Sequence, residues 1–222
     1  MYHPVADSGY VSWFAWENID DRLVKVVNEG PISDLVDYVR SLLPSFLDHR
    51  FIKREQAAAY NEERELAVSD EHDTEKALLQ VDFSENYTCV SQDEIQSAHW
   101  QQKQVSLFTA AIWHSGTFRP CVIASDNLVH SKDTLLAYVD RLLDALPTAV
   151  KHVSVWSDGP SSQFKNRFVA ATIEQLERRH EMKIVWNYFT TSHGKGPVDG
   201  IGGSVKRYVW SRVRNRKQCV RR

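Results

Sequence analysis

The chain has 222 residues, of which 42% are hydrophobic and 11% aromatic, so it can bury one substantial core and is not a disordered chain. Its formal net charge of −2 argues by itself against nucleic acid as a partner. The three cysteines, Cys89, Cys121 and Cys219, are odd in number and far apart, which excludes a disulfide framework and a C-x-x-C zinc pair.

No stretch approaches the roughly 20 apolar residues that a membrane span requires. The first residues also lack the basic and then apolar pattern of a secretory signal. We therefore expect an intracellular protein without a membrane partner.

Residues 1–76 are predicted to be a helical N-terminal region that ends in a linker. Amphipathic spacing predicts helices over residues 32–47 and 49–69, and Pro44 should end or kink the first of them. The polar run DEHDTEK, residues 70–76, is predicted to be a connection.

From residue 77 the pattern changes to short apolar runs separated by turn residues, which is typical of strands. Three strands joined by short turns imply antiparallel pairing, and later strand-helix-strand units imply parallel pairing with right-handed crossovers. The predicted fold class is α/β, with a mixed five-stranded sheet and helices on both faces over residues 77–214. The predicted strands cover 77–83, 99–116, 118–125, 152–158 and 182–190, and the helices 133–146, 162–180 and 197–214.

Asp82 ends the apolar run ALLQVDF, where a buried strand should emerge from the core. A carboxylate at that depth costs several kcal/mol unless a cation or a hydrogen-bond donor meets it. A metal ion is one such partner, and a backbone N–H is the other. Glu85 is either a supporting carboxylate or an ordinary surface residue, and Asp126, after the third strand, is either a further carboxylate or a turn residue.

Asp158 ends the run HVSVWSD and precedes a predicted helix. An aspartate there is commonly a helix N-cap. Alternatively, a parallel central strand would bring Asp158 beside Asp82 at the same end of the sheet. Gln163, Lys165 and Asn166 would then be within reach of a phosphate or a sugar.

Asp199 lies within the first turn of the last predicted helix, with Gly202, Gly203 and Lys206 on the same flank. Two glycines inside a helix together cost about 2 kcal/mol relative to alanine, so the helix needs their small size. The two explanations are close packing on the sheet and room for a nucleic-acid backbone.

The run TSHGKGPVDG is superficially similar to a phosphate-binding loop, but Lys195 is followed by glycine rather than Ser or Thr. This departure excludes a nucleoside triphosphatase. His193 and Lys195 are instead candidate contacts to a DNA phosphate, with a purely structural loop as the alternative.

The charge is unevenly distributed, because no acidic residue follows Asp199 while eight basic ones do, beginning with Lys206 and Arg207. Subtracting these 8 from the 27 Lys and Arg leaves 19 against 29 acids, so residues 1–199 carry −10 and the remainder +8. A basic end suits phosphate contacts. A solvated and frayed terminus is the simpler alternative. Residues 215–222 are predicted to be a basic C-terminal tail after the domain.

The motifs DFSENY, SDG followed by QFKN, and HGKGPVDGIGGSVKR occur in this order. With them, residues 77–214 resemble the catalytic domain of DDE/DDD-type DNA transposases and integrases in the ribonuclease H-like superfamily, particularly transposon-derived proteins of animal genomes. The resemblance implies that Asp82, Asp158 and Asp199 hold two Mg²⁺ or Mn²⁺ ions for phosphoryl transfer. It also implies DNA as the partner, a nuclear location and a capacity to form a homo-oligomer.

The third acid is Asp rather than the commoner Glu, and no zinc finger or other separate DNA-binding module is visible. Three hypotheses follow. The chain is a metal-dependent polynucleotidyl transferase or nuclease, a domesticated and catalytically silent DNA- or protein-binding module, or a cellular nuclease on the ribonuclease H fold.

Overall fold

The computed structural model of the chain describes residues 9–20, 22–89, 103–158, 167–190 and 196–219, with the backbone alone for 167–170 and 215–219. The chain divides into two compact units, Met1–Ile52 and Lys53–Arg222. This division falls well before the predicted boundary at residue 76.

The first unit contains a β-hairpin, so the prediction of a helical region is wrong for residues 10–31. Strand β1 (Tyr10–Ile19) pairs antiparallel with β2 (Arg22–Pro31), and Asp20 adopts a positive φ of 50° at the turn. The physical reason is composition, because the runs YVSWFAW and RLVKVV are rich in aromatic and β-branched residues that favour extended backbone.

Helix α1 (Ile32–Ser69) follows β2 directly and continues through Pro44. The prediction that Pro44 ends a helix is therefore wrong. A proline inside a helix leaves the carbonyl four residues earlier, here that of Arg40, without an N–H partner. Both residues are exposed, so water can bond this carbonyl and the helix tolerates the loss.

The second unit is built on a mixed five-stranded sheet of order β5-β4-β3-β6-β7, which confirms the predicted α/β class. Strands β3, β4 and β5 pair antiparallel, whereas β3 with β6 and β6 with β7 pair in parallel. The elements are β3 (Lys76–Thr88), β4 (Gln104–His114), β5 (Thr117–Ser125), α2 (Lys132–Asp144), β6 (His152–Ser157), α3 (Arg167–His180), β7 (Lys183–Tyr188) and α4 (Pro197–Cys219).

Helices cover both faces of this sheet. Successive side chains along β3 point to opposite sides, so neighbouring residues of this strand pack against different helices. Leu79 and Val81 belong to a core that includes residues of α2 and α3. Leu78 faces the other way and belongs to a second core with Tyr60 of α1 and Val198 of α4. The face under α1 and α4 is the one that carries the candidate site.

Candidate functional site

Two of the three predicted aspartates lie where the parallel pairing of two neighbouring strands ends. Strands β3 and β6 run parallel, with Val81 opposite Ser157. Asp82 and Asp158 are the next residues on each strand, so they leave the pairing at the same end of the sheet. Both are partly buried.

The third aspartate is fixed at the start of α4. Pro197 is the first helical residue, a position that suits proline because its missing N–H has no helical partner there. Asp199 is two residues further on, and its Oδ2 accepts a hydrogen bond of 3.2 Å from the backbone N–H of Gly196. This is the reciprocal bond of a capping box, and the negative charge also suits the helix N-terminus.

Two glycines allow α4 to approach β3 on either side of Asp82. Gln80, Asp82 and Ser84 point to the same face of β3, since side chains alternate along a strand. A Cβ added at Gly196 would lie 2.7 Å from the Gln80 amide, and one at Gly202 would lie 2.9 Å from Ser84 Oγ. The first turns of α4 therefore lie directly over this row of polar side chains.

The three carboxylates are within electrostatic reach of one another. Burial raises the pKa of the Asp82 carboxyl to about 7, and the negative charges of Asp158 and Asp199 add to the rise. A hydrogen bond with the backbone of Phe83 acts in the opposite direction on this pKa. A cation beside Asp82 would relieve the repulsion that the cluster creates.

The carboxylates are nevertheless not gathered tightly. In the part of the chain that the structure describes, no group of three or more His, Cys, Asp or Glu side chains is arranged to hold a metal ion. The hydrogen bond that Asp199 Oδ2 accepts from the Gly196 N–H holds this carboxylate at the N-terminus of α4. Carboxylate oxygens are still the donors that Mg²⁺ and Mn²⁺ prefer, so the donor chemistry fits these ions.

A cleft of about 310 Å³ opens beside Asp82 and Asp199. Lys206 and the exposed Glu85 also line it. Glu85 lies where the register between β3 and β4 shifts, after Ser84, and such bulges re-aim side chains. Glu85 therefore lies at the cleft and is also exposed to solvent, which fits both roles that the sequence allowed.

A comparison with protein families decides the membership of the chain. The family model for a domain of unknown function, DUF8701, matches residues 59–221. The chain belongs to this family. The matched range contains all five strands of the mixed sheet and all three aspartates. No curated protein matches the chain.

The DUF8701 domain also holds a polar network that the sequence analysis missed. The Tyr60 hydroxyl donates a 2.7 Å hydrogen bond to Oε1 of the fully buried Gln80, and burial raises the pKa of Tyr60 to about 12. Glu63, one turn later, accepts from Ser154 Oγ at 2.6 Å and from Trp156 Nε1 at 2.8 Å. The network ties α1 to the two strands that lead to Asp82 and Asp158. A glutamine within the apolar run ALLQVDF was its only sequence signal.

The structure separates the remaining predicted residues of the DUF8701 domain into three groups. Arg207 is exposed on α4 next to Lys206, whereas Asp126 is exposed beyond β5 and is not among the residues that line the cleft. The predicted contacts that lie outside the described residues are Gln163, Lys165, Asn166, His193 and Lys195.

Cys89 and Cys121 are free thiols. Among the described residues of the protein, no helix is both long enough and apolar enough to cross a membrane.

Proposed function

We propose that the DUF8701 domain is a transposase-derived, metal-dependent polynucleotidyl transferase or nuclease that acts on DNA. The observation that carries the proposal is that Asp82 of β3 lies within electrostatic reach of Asp158, at the end of β6, and of Asp199 in α4. The strand order, with antiparallel pairing followed by parallel pairing, supports a ribonuclease H-like assignment. The motifs that resemble DDE/DDD transposases and integrases supply the reaction type.

The three aspartates would hold Mg²⁺ or Mn²⁺. When bound, such ions activate the attacking oxygen and stabilise the leaving oxygen of a phosphodiester. The fit rests on the donor set, since three neighbouring carboxylates concentrate negative charge where a divalent cation would offset it. Asp82 must lose its proton before it can serve as a ligand.

Neighbouring residues bind the substrate or hold the aspartates in place. Lys206, which lines the cleft together with Asp82 and Asp199, supplies a positive charge for a phosphate of the substrate. Thr109 Oγ1 donates a 3.2 Å hydrogen bond to the Asp82 carbonyl, which fixes the backbone that carries this carboxylate. Gly196 holds Asp199 in place through its N–H.

The test is cleavage and strand transfer of labelled DNA in Mg²⁺ or Mn²⁺ by the full chain and by Asp158→Asn. We expect the variant to lose about 100-fold or more in rate, since even outer partners of a metal site are worth 10 to 100-fold. Asp126→Asn is the matched control, because it removes an exposed carboxylate that does not line the cleft. Equal cleavage by wild type and Asp158→Asn, or no cleavage across a broad range of conditions, would contradict the proposal.

Substrate preference distinguishes a transposase-derived enzyme from a cellular nuclease on the same fold. Activity on duplex ends, with joining of a 3′-hydroxyl to a second DNA, supports a transposase origin. Preference for RNA–DNA hybrids, or processive degradation of single strands, would instead favour the cellular nuclease.

A catalytically silent DNA-binding module is the second candidate. It is favoured by the lack, among the described residues, of carboxylates arranged to hold a metal ion. Such a module would bind DNA in a salt-dependent manner without cleaving it, and Mn²⁺ would give no heat of binding in titration calorimetry.

A further inference from the structure

One side of α4 carries a row of residues that begins at the cleft. Gly203, Lys206, Arg207, Trp210 and Arg214 are spaced at i, i+3, i+4, i+7 and i+11, which places them on one side of a helix. Gly203 and Lys206 line the cleft itself. At about 1.5 Å per residue, the row continues for roughly 16 Å along the helix axis to Arg214. We call these five residues the α4 stripe.

The α4 stripe contains an exposed aromatic ring, that of Trp210, on which a base can stack. Trp210 is 53% exposed, and the guanidinium carbon of Arg214 lies 5.3 Å from its ring centroid. An exposed aromatic ring next to a guanidinium group is the combination that binds unstacked nucleobases. A base inside a duplex has no free face to offer, so the ring selects an unpaired base.

The same helix carries a similar pair that points away from the stripe. Arg212 lies 5.1 Å from the Tyr208 ring centroid, and its Nε donates a 3.1 Å hydrogen bond to the Tyr208 hydroxyl. Tyr208 is 59% exposed. By helical spacing this pair lies on the opposite side of α4 from Trp210. It therefore matches Trp210 and Arg214 in chemistry but not in position.

Gly203 is not explained by packing within the protein. A Cβ at Gly202 would press on Ser84, but a Cβ at Gly203 would meet nothing within 4 Å. Glycine is unfavourable relative to alanine inside a helix, so a bare position beside the cleft calls for another reason. Close approach of a ligand backbone is such a reason.

We propose that a single-stranded DNA segment next to the reacting phosphate runs along the α4 stripe. Its backbone crosses Gly203, its phosphates contact Lys206 and Arg207, and one unpaired base stacks on Trp210 beside Arg214. The inference rests on the proposed function and specifies the substrate further, as a duplex with an unpaired extension at the site of reaction.

The test is fluorescence anisotropy of the full chain with two labelled duplexes in EDTA, one blunt and one with a six-nucleotide single-stranded extension. Trp210→Ala should weaken binding of the extended duplex by about 10-fold, from loss of one stacked base, and leave the blunt duplex unchanged. Trp210→Phe should retain most of the affinity. Tyr208→Ala is the matched control and should bind like wild type.

Gly203→Ala gives an independent measurement, because it adds only a methyl group where the backbone is proposed to pass. It should weaken binding of the extended duplex several-fold. Gly200→Ala, at another helical glycine whose Cβ would meet nothing within 4 Å and which is not among the residues that line the cleft, should not.

The outcomes separate this inference from the proposed function. If wild type cleaves DNA but Trp210→Ala binds both duplexes like wild type, or loses affinity equally for both, the inference is overturned and the proposed function stands. If wild type binds neither duplex at low salt, both are overturned.

Discussion

Asp82 is the residue whose chemistry depends most on its neighbours. Burial, followed by the charges of Asp158 and Asp199, raises the pKa of its carboxyl from 3.8 to about 7. The folded protein therefore binds a proton that the unfolded chain releases near pH 4. Between about pH 4 and pH 7 the folded state holds more protons, so this residue makes the free energy of unfolding fall as pH rises.

The raised pKa of Asp82 predicts how Asp82→Asn changes the free energy of unfolding, because asparagine mimics the protonated carboxyl. The free energy of unfolding should rise by about 2 to 4 kcal/mol at pH 8, since each pKa unit is worth about 1.4 kcal/mol. At pH 4 it should change little, because wild-type Asp82 is then already protonated in the folded state. Urea denaturation of wild type and Asp82→Asn at pH 4 and pH 8 measures both changes in the free energy of unfolding, and Asp126→Asn is the control. An equal gain at pH 4 and pH 8 would contradict this account of the pKa.

Among the elements, α4 determines whether Asp199 joins the other two acids. Gly202→Ala should lower the free energy of unfolding by about 1 to 3 kcal/mol, because its Cβ would lie 2.9 Å from Ser84 Oγ and 3.3 Å from Ser84 Cβ. Gly203→Ala should raise it by up to about 1 kcal/mol, because alanine is the better helix former and has free space.

Urea unfolding of the two single variants and of Ser84→Ala/Gly202→Ala tests this packing of α4 on β3. The double variant should recover part of the stability that Gly202→Ala loses, since Ser84→Ala removes Ser84 Oγ, the atom nearest to the added Cβ. The packing is refuted if Gly202→Ala and Gly203→Ala change stability in the same direction.

The sequence predicted the elements after residue 77 well, because apolar runs, turn residues and helical spacing are local signals. The predicted strand 77–83 is nevertheless longer in the structure, where β3 continues to Thr88. Its continuation SENYT stays extended because it pairs with β4, and the register shift beside Glu85 arises in that pairing. Local propensity contains no information about such a partner.

The same limit applies to the N-terminal half and to the site. The helical spacing that predicts a helical region begins at residue 32 and carries no information about residues 10–31, whose aromatic and β-branched side chains favour the strands of the hairpin. For the site, the predicted parallel strands indicated that Asp82 and Asp158 lie at the same end of the sheet. The hydrogen bond from Tyr60 to Gln80 joins residues 20 apart in sequence, so only the folded structure reveals it.

At the scale of the molecule, a net charge of −2 conceals a strong separation, with −10 up to residue 199 and +8 beyond it. We expect DNA binding to use the positive part. Replacing Lys206 and Arg207 by alanine should reduce the slope of log K against log salt by about 2, since each phosphate contact contributes about 0.9.

Anisotropy at several salt concentrations measures the slope, with Arg212→Ala as the control on the opposite side of α4. The assignment of these two contacts fails if the double variant keeps the wild-type slope while its affinity changes.

The proposed function requires that three aspartates from separate elements form one divalent-cation site. Titration calorimetry with Mn²⁺ tests this requirement when the wild-type chain is compared with three variants, Asp82→Asn, Asp158→Asn and Asp199→Asn. We expect wild type to bind two Mn²⁺ ions per chain and to release a proton near pH 7, as Asp82 becomes ionised. Each variant should lose at least one ion. Failure of wild type to bind Mn²⁺ at millimolar concentration, or binding by all three variants like wild type, would contradict the proposed function.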